Sequence, residues 1–114
     1  MRSAPAGRRR RAPSSAAGNV LATPQSGVTA THLVKEPFGP LDLYVVRNMF
    51  APGGQTGWHT HLGPSFVIVT EGQITAYDGD DPTCTPKVYR AGQGFLDIGA
   101  GRVHLLRNET GAPQ

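Results

Sequence analysis

The sequence predicts an all-β fold, and three observations support this prediction. The 114 residues include 15 glycines and 10 prolines, a composition typical of a chain with many tight turns. Short runs rich in β-branched and aromatic residues, which favour strands, lie between these turns. No segment shows a sustained helical repeat of apolar residues. Many short strands at regular turn spacing indicate a β-sandwich or a β-barrel.

The first 26 residues differ in composition from the rest of the chain. Residues 1–26 are mainly Ala, Pro, Ser, Gly and Arg, with almost no large apolar side chains. Such a segment cannot bury enough apolar surface to offset the entropy lost on ordering. We therefore predict a disordered tail over 1–26 and one folded domain over 27–114, because the whole chain has the length of a single domain.

The basic residues are unevenly distributed. Arg2 and the run 8–11 hold five of the eleven, so residues 12–114 carry six basic and eight acidic side chains, a balance of −2. A domain of this charge offers no basic surface to a phosphate backbone, and we expect no nucleic-acid partner. No stretch approaches the length of a transmembrane helix, and we expect a soluble protein with no membrane partner.

The arginine run also resembles the start of an export signal. Residues 12–25, however, contain Pro, Ser, Asn and Gln where the apolar part of a signal should lie. We therefore expect a cytoplasmic protein, with export through a degraded N-terminal signal as the alternative.

Eight strands are predicted after the tail, each bounded by a turn signal. The first two, 28–36 and 41–50, flank a Pro–Phe–Gly–Pro turn and are followed by an Ala–Pro–Gly–Gly turn at 51–54. The third, 55–62, carries two histidines. The other five cover residues 65–70, 73–78, 87–90, 95–98 and 102–108.

Three histidines form the main functional pattern. His59 and His61 are one residue apart on the predicted third strand, and His104 lies on the last. Side chains alternate along a strand, so residues i and i+2 point to the same face. A third imidazole from another strand would complete a tripod for one divalent metal ion. We expect the fourth histidine, His32, to lie at the surface.

The segment around the histidine pair resembles the first motif of the cupin superfamily. That motif reads G-x5-H-x-H-x3-E-x6-G. Gly53, His59, His61 and Gly72 match it in register, and Ser65 stands where the motif has Glu.

The segment around the third histidine resembles the second cupin motif, which reads G-x5-P-x-G-x2-H-x3-N. Gly101, His104 and Asn108 match it, whereas Gly99 replaces the Pro and Gln93 replaces the first Gly. Two motifs in the correct order are far more specific than either alone.

The resemblance implies a cupin jelly-roll β-barrel that holds one divalent metal ion through His59, His61 and His104. The metal would be iron, manganese, zinc or nickel. Family members with the Glu have a shell of three histidines and one carboxylate. Ser65 is a poor ligand, so this site should keep open positions for water or substrate. Three neutral ligands leave the charge of the metal uncompensated, which favours an anionic small-molecule ligand or substrate, or hydroxide, as the next ligand.

Two further residues are candidates for replacing the missing carboxylate or for orienting the histidines. They are Asp97 on the predicted seventh strand and Gln55 at the start of the third. The residues alone do not decide between these two roles.

The C-terminus is a second departure from the family. Cupin barrels usually continue past the Asn of the second motif with another turn and strand, whereas this sequence ends at Gln114. We expect a barrel that lacks its last strand or strands, or one that closes with fewer. A missing strand would leave an unpaired sheet edge, on which a second copy could form a homodimer.

Three functional hypotheses stay open at this point. The first is a metal-dependent enzyme, although no catalytic residue can be assigned. An open three-histidine site resembles those of thiol and related dioxygenases that use ferrous iron, and Lewis-acid isomerase or hydrolytic chemistry with zinc or manganese would give the same pattern. The second is a non-catalytic cupin that binds or senses a small ligand. The third is a truncated, degenerate copy.

Overall fold

The computed structural model describes residues 22–114 and confirms the predicted all-β class. The described part of the chain contains seven strands and no helix. Their bounds are β1 Ser26–Phe38, β2 Leu41–Gln55, β3 Ser65–Ile68, β4 Gln73–Asp78, β5 Lys87–Arg90, β6 Gly94–Asp97 and β7 His104–Arg107. Five strands form one antiparallel sheet in the order β1-β2-β7-β4-β5, and β3 and β6 form a second.

The predicted tail lies largely outside the described residues, since 1–21 are not among them. Of its last residues, Thr23 exchanges hydrogen bonds with the backbone of Trp58, at 3.0 Å through its N–H and at 2.8 Å through its hydroxyl. Ser26 is the first residue of β1. Within the described residues, no helix has both the length and the apolar character needed to cross a membrane.

Two predicted elements near the histidine pair are wrong. The Ala–Pro–Gly–Gly segment 51–54 is not a turn between strands but an irregular stretch of β2, because Ser26 pairs with Gln55 while Val28 pairs with Phe50. Residues 51–54 of β2 thus stand opposite the single residue Gly27 of β1, as in a large β-bulge.

The third predicted strand, 55–62, is also wrong. The chain leaves β2 after Gln55, and only His59 keeps a bridge, to His104. Gly57 adopts a φ of 74°, which bends the backbone out of the extended conformation. A Cβ at this position would lie 2.1 Å from the carbonyl oxygen of Thr23, so only glycine fits here.

The hydrophobic core is small and lies between the two sheets. Its five clustered side chains are Phe50, Val69, Ile74, Ala76 and Leu106. Phe95 of β6 packs against this cluster and against Tyr89 of β5, with ring centroids 4.7 Å apart. The core therefore joins β2, β4 and β7 of the large sheet to the small sheet, and it includes Leu106 of the strand that begins with His104.

The first two strands extend away from this core as a hairpin arm, which we define as residues 29–49. Among the described residues, β1 pairs with β2 alone. Large apolar side chains are therefore exposed along the arm, including Leu43 at 48% and Tyr44 at 50%.

The C-terminal residues after β7 fold back onto β2. Gln114 and Phe50 exchange two backbone hydrogen bonds, at 2.8 and 2.9 Å. Asn108 is fully buried beneath this return, with 0% of its surface exposed.

Candidate metal centre

The structure brings the three predicted histidines together. His59 follows β2 and pairs through its backbone with His104 at the start of β7, with both N···O distances at 3.0 Å. His61 stacks on His59, with ring centroids 5.0 Å apart and planes inclined by 16°. One nitrogen atom from each ring lies within 4.8 Å of the others, so the three could together hold a metal ion. His32 is exposed on β1, outside this cluster.

A backbone carbonyl fixes the orientation of His59. Its Nδ1 lies 2.9 Å from the carbonyl oxygen of Gly57. Because a carbonyl oxygen can only accept, Nδ1 must carry the hydrogen, and in the neutral ring Nε2 is left with a lone pair. This is the tautomer that a metal ligand needs.

The lone pair of His59 faces His104. The two Nε2 atoms are 2.9 Å apart. This separation matches the distance of about 3 Å between two nitrogens bound at a right angle to one ion, each roughly 2.1 Å from it. The separation of the two nitrogens therefore fits a metal ion bound by both rings. Without a metal, the same separation fits one hydrogen bond between the two Nε2 atoms.

His104 is the most buried of the three rings. Burial lowers the pKa of His104 below its ordinary value, and the neighbouring His59 lowers it further, while the carboxylate of Asp97 acts in the opposite direction. The neutral form that results is the form that binds metal.

Asp97 of β6 lies beside two of the histidines. Its Oδ2 is 3.3 Å from Nδ1 of His61 and 3.3 Å from Nδ1 of His104. Its other oxygen accepts a hydrogen bond from the Gly99 N–H at 2.9 Å. The side chain is only 4% exposed, yet Oδ2 has no hydrogen-bond partner of good geometry.

This unpartnered oxygen and the donor set provide a test of whether the site fits a metal. A buried carboxylate oxygen without a partner is costly unless positive charge lies nearby. A cation among the imidazoles would supply that charge, and neutral imidazoles beside a carboxylate are typical of metal sites in proteins. The residues present therefore fit a divalent ion.

Ser65 and Gln55 take no direct part in the histidine cluster as described. Ser65 is half-buried on β3, directly opposite Asp97 in the register of the small sheet. Gln55 ends β2 and pairs with Arg107. Of the two candidates from the sequence, the structure thus places Asp97 against the histidines.

A cleft of about 180 Å³ opens beside His104. Asp97, Phe95 and Leu106 line its inner part, and Lys87 and Arg102 lie among its outer residues. Both cations have acidic neighbours: Lys87 Nζ is 2.6 Å from Asp78, and an Arg102 nitrogen is 3.8 Å from Asp80. Of the three histidines, His104 alone lines this cleft.

Comparisons with solved structures identify the fold. A cupin domain from Bordetella pertussis superposes with a TM-score of 0.60 at 22% identity, over 80% of this chain and 88% of that one. The Cupin_2 domain of an XRE family transcriptional regulator from Enterobacter cloacae gives 0.55 at 18% identity, over 77% and 88%. Oxalate oxidase gives 0.56 at 22% identity, over 76% of this chain and 47% of its own.

The chain therefore has the cupin fold, as its two motifs predicted. It spans about half the length of oxalate oxidase. No family model matches the sequence, and no curated protein matches it either.

Proposed function

We propose that this protein binds one divalent metal ion through His59, His61 and His104 and presents it to a small anionic ligand. The observation that carries the proposal is the 2.9 Å separation of the Nε2 atoms of His59 and His104, with the ring of His61 stacked on that of His59. Imidazole nitrogens gathered in this way from two parts of the chain supply the kind of donor set that binds a divalent ion.

The chain contributes binding and orientation at this site. The Gly57 carbonyl holds His59 in its ligand tautomer, and the β7 backbone places His104 against it. A divalent ion would supply Lewis-acid character, and ferrous iron or manganese would also supply redox chemistry. Ser65 provides no carboxylate, so coordination positions are left to a ligand from solution.

Charge supports a small anion as that ligand. Three neutral imidazoles cancel none of the charge of the metal, and the neighbouring carboxylate of Asp97 cancels only part of it. Oxalate oxidase, one of the structural neighbours, is named for a small dicarboxylate and has been crystallised with glycolate as a substrate analogue. Glycolate and oxalate are therefore suitable probes.

Metal analysis of the untagged protein tests the first part of the proposal. We expect about one equivalent of a divalent metal in the wild type and in His32→Ala, which removes an exposed histidine outside the cluster. His59→Ala, His61→Ala and His104→Ala should each lose most of that metal. Equal metal content in all five proteins would contradict the proposed ligand set.

Calorimetry with glycolate and oxalate tests the second part. Binding should require the metal and should disappear in His104→Ala. Oxygen consumption by the iron- and manganese-loaded protein, with these acids and with a panel of thiols, then tests for oxygenase or oxidase activity.

Non-catalytic sensing is a second candidate, and one comparison favours it. The Enterobacter cloacae neighbour is a cupin domain of a transcriptional regulator, and this chain covers 88% of it. A probe that binds with the metal present and is recovered chemically unchanged would support sensing over catalysis.

A further inference from the structure

We propose that Asp97 is a positioning residue of this site, which holds His61 and His104 from behind so that their Nε2 atoms face the metal. This inference rests on the proposed metal binding. It assigns to β6 a carboxylate that the cupin motifs place on β3.

The two nitrogens of His104 show on which side Asp97 lies. Nε2 faces His59 at 2.9 Å, whereas Nδ1 faces Asp97 at 3.3 Å. The two nitrogens of an imidazole point away from each other, so a metal between His59 and His104 lies across the ring from Asp97. The carboxylate of Asp97 is therefore not a ligand of that metal. It lies beside Nδ1 of His104, the nitrogen that points away from the metal.

The same carboxylate oxygen serves a second ring. Oδ2 also lies 3.3 Å from Nδ1 of His61. Both distances slightly exceed the range of about 2.7–3.2 Å for a formed N–H···O hydrogen bond. When Nε2 binds a metal, the hydrogen of a neutral imidazole must reside on Nδ1. Metal binding would thus give the buried oxygen two donors after a small movement of the rings.

The carboxylate itself is held in place. Its Oδ1 accepts the Gly99 N–H, and its side chain is 4% exposed. An anchored carboxylate behind a metal-bound histidine fixes the ring orientation and raises the basicity of the ligand nitrogen.

The register of the small sheet shows how a carboxylate on β6 can replace the carboxylate that the cupin motif places on β3. Ser65, which stands at the motif position for Glu, lies directly opposite Asp97. Residues that are paired across two antiparallel strands point to the same face. The negative charge near the metal is therefore kept, but behind the histidines, and a coordination position is left open at Ser65.

Metal affinity in Asp97→Asn tests this role. Asn has the same shape and can still accept from Gly99, but it lacks the charge. We expect metal affinity, measured by competition with a chromogenic chelator, to fall about 10–100-fold. The stoichiometry should stay at one. The matched control Asp80→Asn removes the same charge from an exposed residue that lies outside the histidine cluster, and it should bind metal like the wild type.

Two further measurements separate positioning from a structural role and from direct ligation. The melting temperature of metal-free Asp97→Asn should not fall below that of the wild type, since a buried unpaired charge has been removed. The visible bands of the cobalt-substituted variant should keep their intensity, because the donor atoms are unchanged. A change of intensity that indicates a lost ligand would overturn the positioning role in favour of direct binding.

The remaining outcomes are also decisive. If Asp97→Asn and a second variant, Asp97→Ser, both bind metal as tightly as the wild type, the inference is wrong while the proposed metal site stands. If the wild type itself binds no divalent metal, both the proposed function and this inference are wrong.

Discussion

At the scale of single residues, Asn108 shows how one buried polar side chain fixes the C-terminal return. Its amide nitrogen donates to the carbonyl oxygens of Phe50 and Ala51, both at 3.1 Å, and of Ala112 at 2.7 Å. Its carbonyl oxygen accepts from the backbone and hydroxyl of Thr110. One side chain thus ties β2 to the segment that follows β7.

We predict that Asn108→Ala lowers the free energy of unfolding by roughly 3 kcal/mol, because it removes every hydrogen bond that this buried side chain makes to β2 and to the C-terminal return, and because it opens a cavity. Asn48→Ala, on the exposed arm, should change it by less than about 0.5 kcal/mol. Urea denaturation of the metal-free proteins measures both. A loss below about 1 kcal/mol for Asn108→Ala would show that water replaces these hydrogen bonds.

The residues of the candidate site differ in how far the sequence predicted them. The three histidines were predicted by two motifs, which state the spacing directly. Asp97 was only one of two candidates, because its role depends on the pairing of β3 with β6, and no local pattern specifies that pairing. The available signal was a lone carboxylate in the otherwise apolar run Phe–Leu–Asp–Ile.

At the scale of elements, strands bounded by clear turns were predicted well and those near glycine clusters were not. β4 and β5 have the predicted bounds. The segment 51–54 looked like a turn, yet its backbone is held in β2 by hydrogen bonds to Asn108, with Gly53 N–H donating at 2.9 Å and Gly54 oxygen accepting at 2.9 Å. Such non-local pairing overrides local turn chemistry, which is why sequence patterns failed there.

The small sheet depends on the close approach of β3 and β6 at Gly94. A Cβ on Gly94 would lie 2.1 Å from the carbonyl oxygen of Val67, which is a backbone atom and cannot rotate away. The strands would have to separate. This would displace two residues of β6, Phe95, which packs against the core, and Asp97. Gly94 is therefore a position where packing, and not a turn, requires glycine.

We predict that Gly94→Ala costs about 1–3 kcal/mol of stability through this overlap and also weakens metal binding through Asp97. The control is Gly111→Ala, where a Cβ meets no atom within 4 Å and φ is not positive. Thermal unfolding and chelator competition measure the two effects. A stability of Gly94→Ala equal to that of the control would mean that the small sheet adapts without strain.

At the scale of the whole molecule, a small core supports a wide structure. Only six hydrophobic side chains are buried among the described residues, while the hairpin arm exposes apolar groups to solvent. Domains of this size have little stability in reserve. Any additional interaction that joins the two sheets therefore changes the free energy of unfolding by a large fraction of its total.

The histidine cluster would be such a link. His59 and His61 lie on the connection between β2 and β3, His104 begins β7 of the large sheet, and Asp97 ends β6 of the small one. An ion held there binds only the folded chain, because the unfolded chain does not bring these residues together. Its binding energy would then add to the stability of the fold.

We predict that a metal concentration 100-fold above the dissociation constant raises the unfolding free energy by about 2.7 kcal/mol. For a domain of this length the melting temperature should rise by roughly 10–20 °C. Addition of a chelator should reverse the rise. His104→Ala should show no rise, whereas His32→Ala, with its imidazole removed from the exposed face of β1, should respond like the wild type. If the melting temperature of His104→Ala rose as much as that of the wild type, the stabilising ion would lie elsewhere on the surface, because the cluster would have lost its most buried ligand.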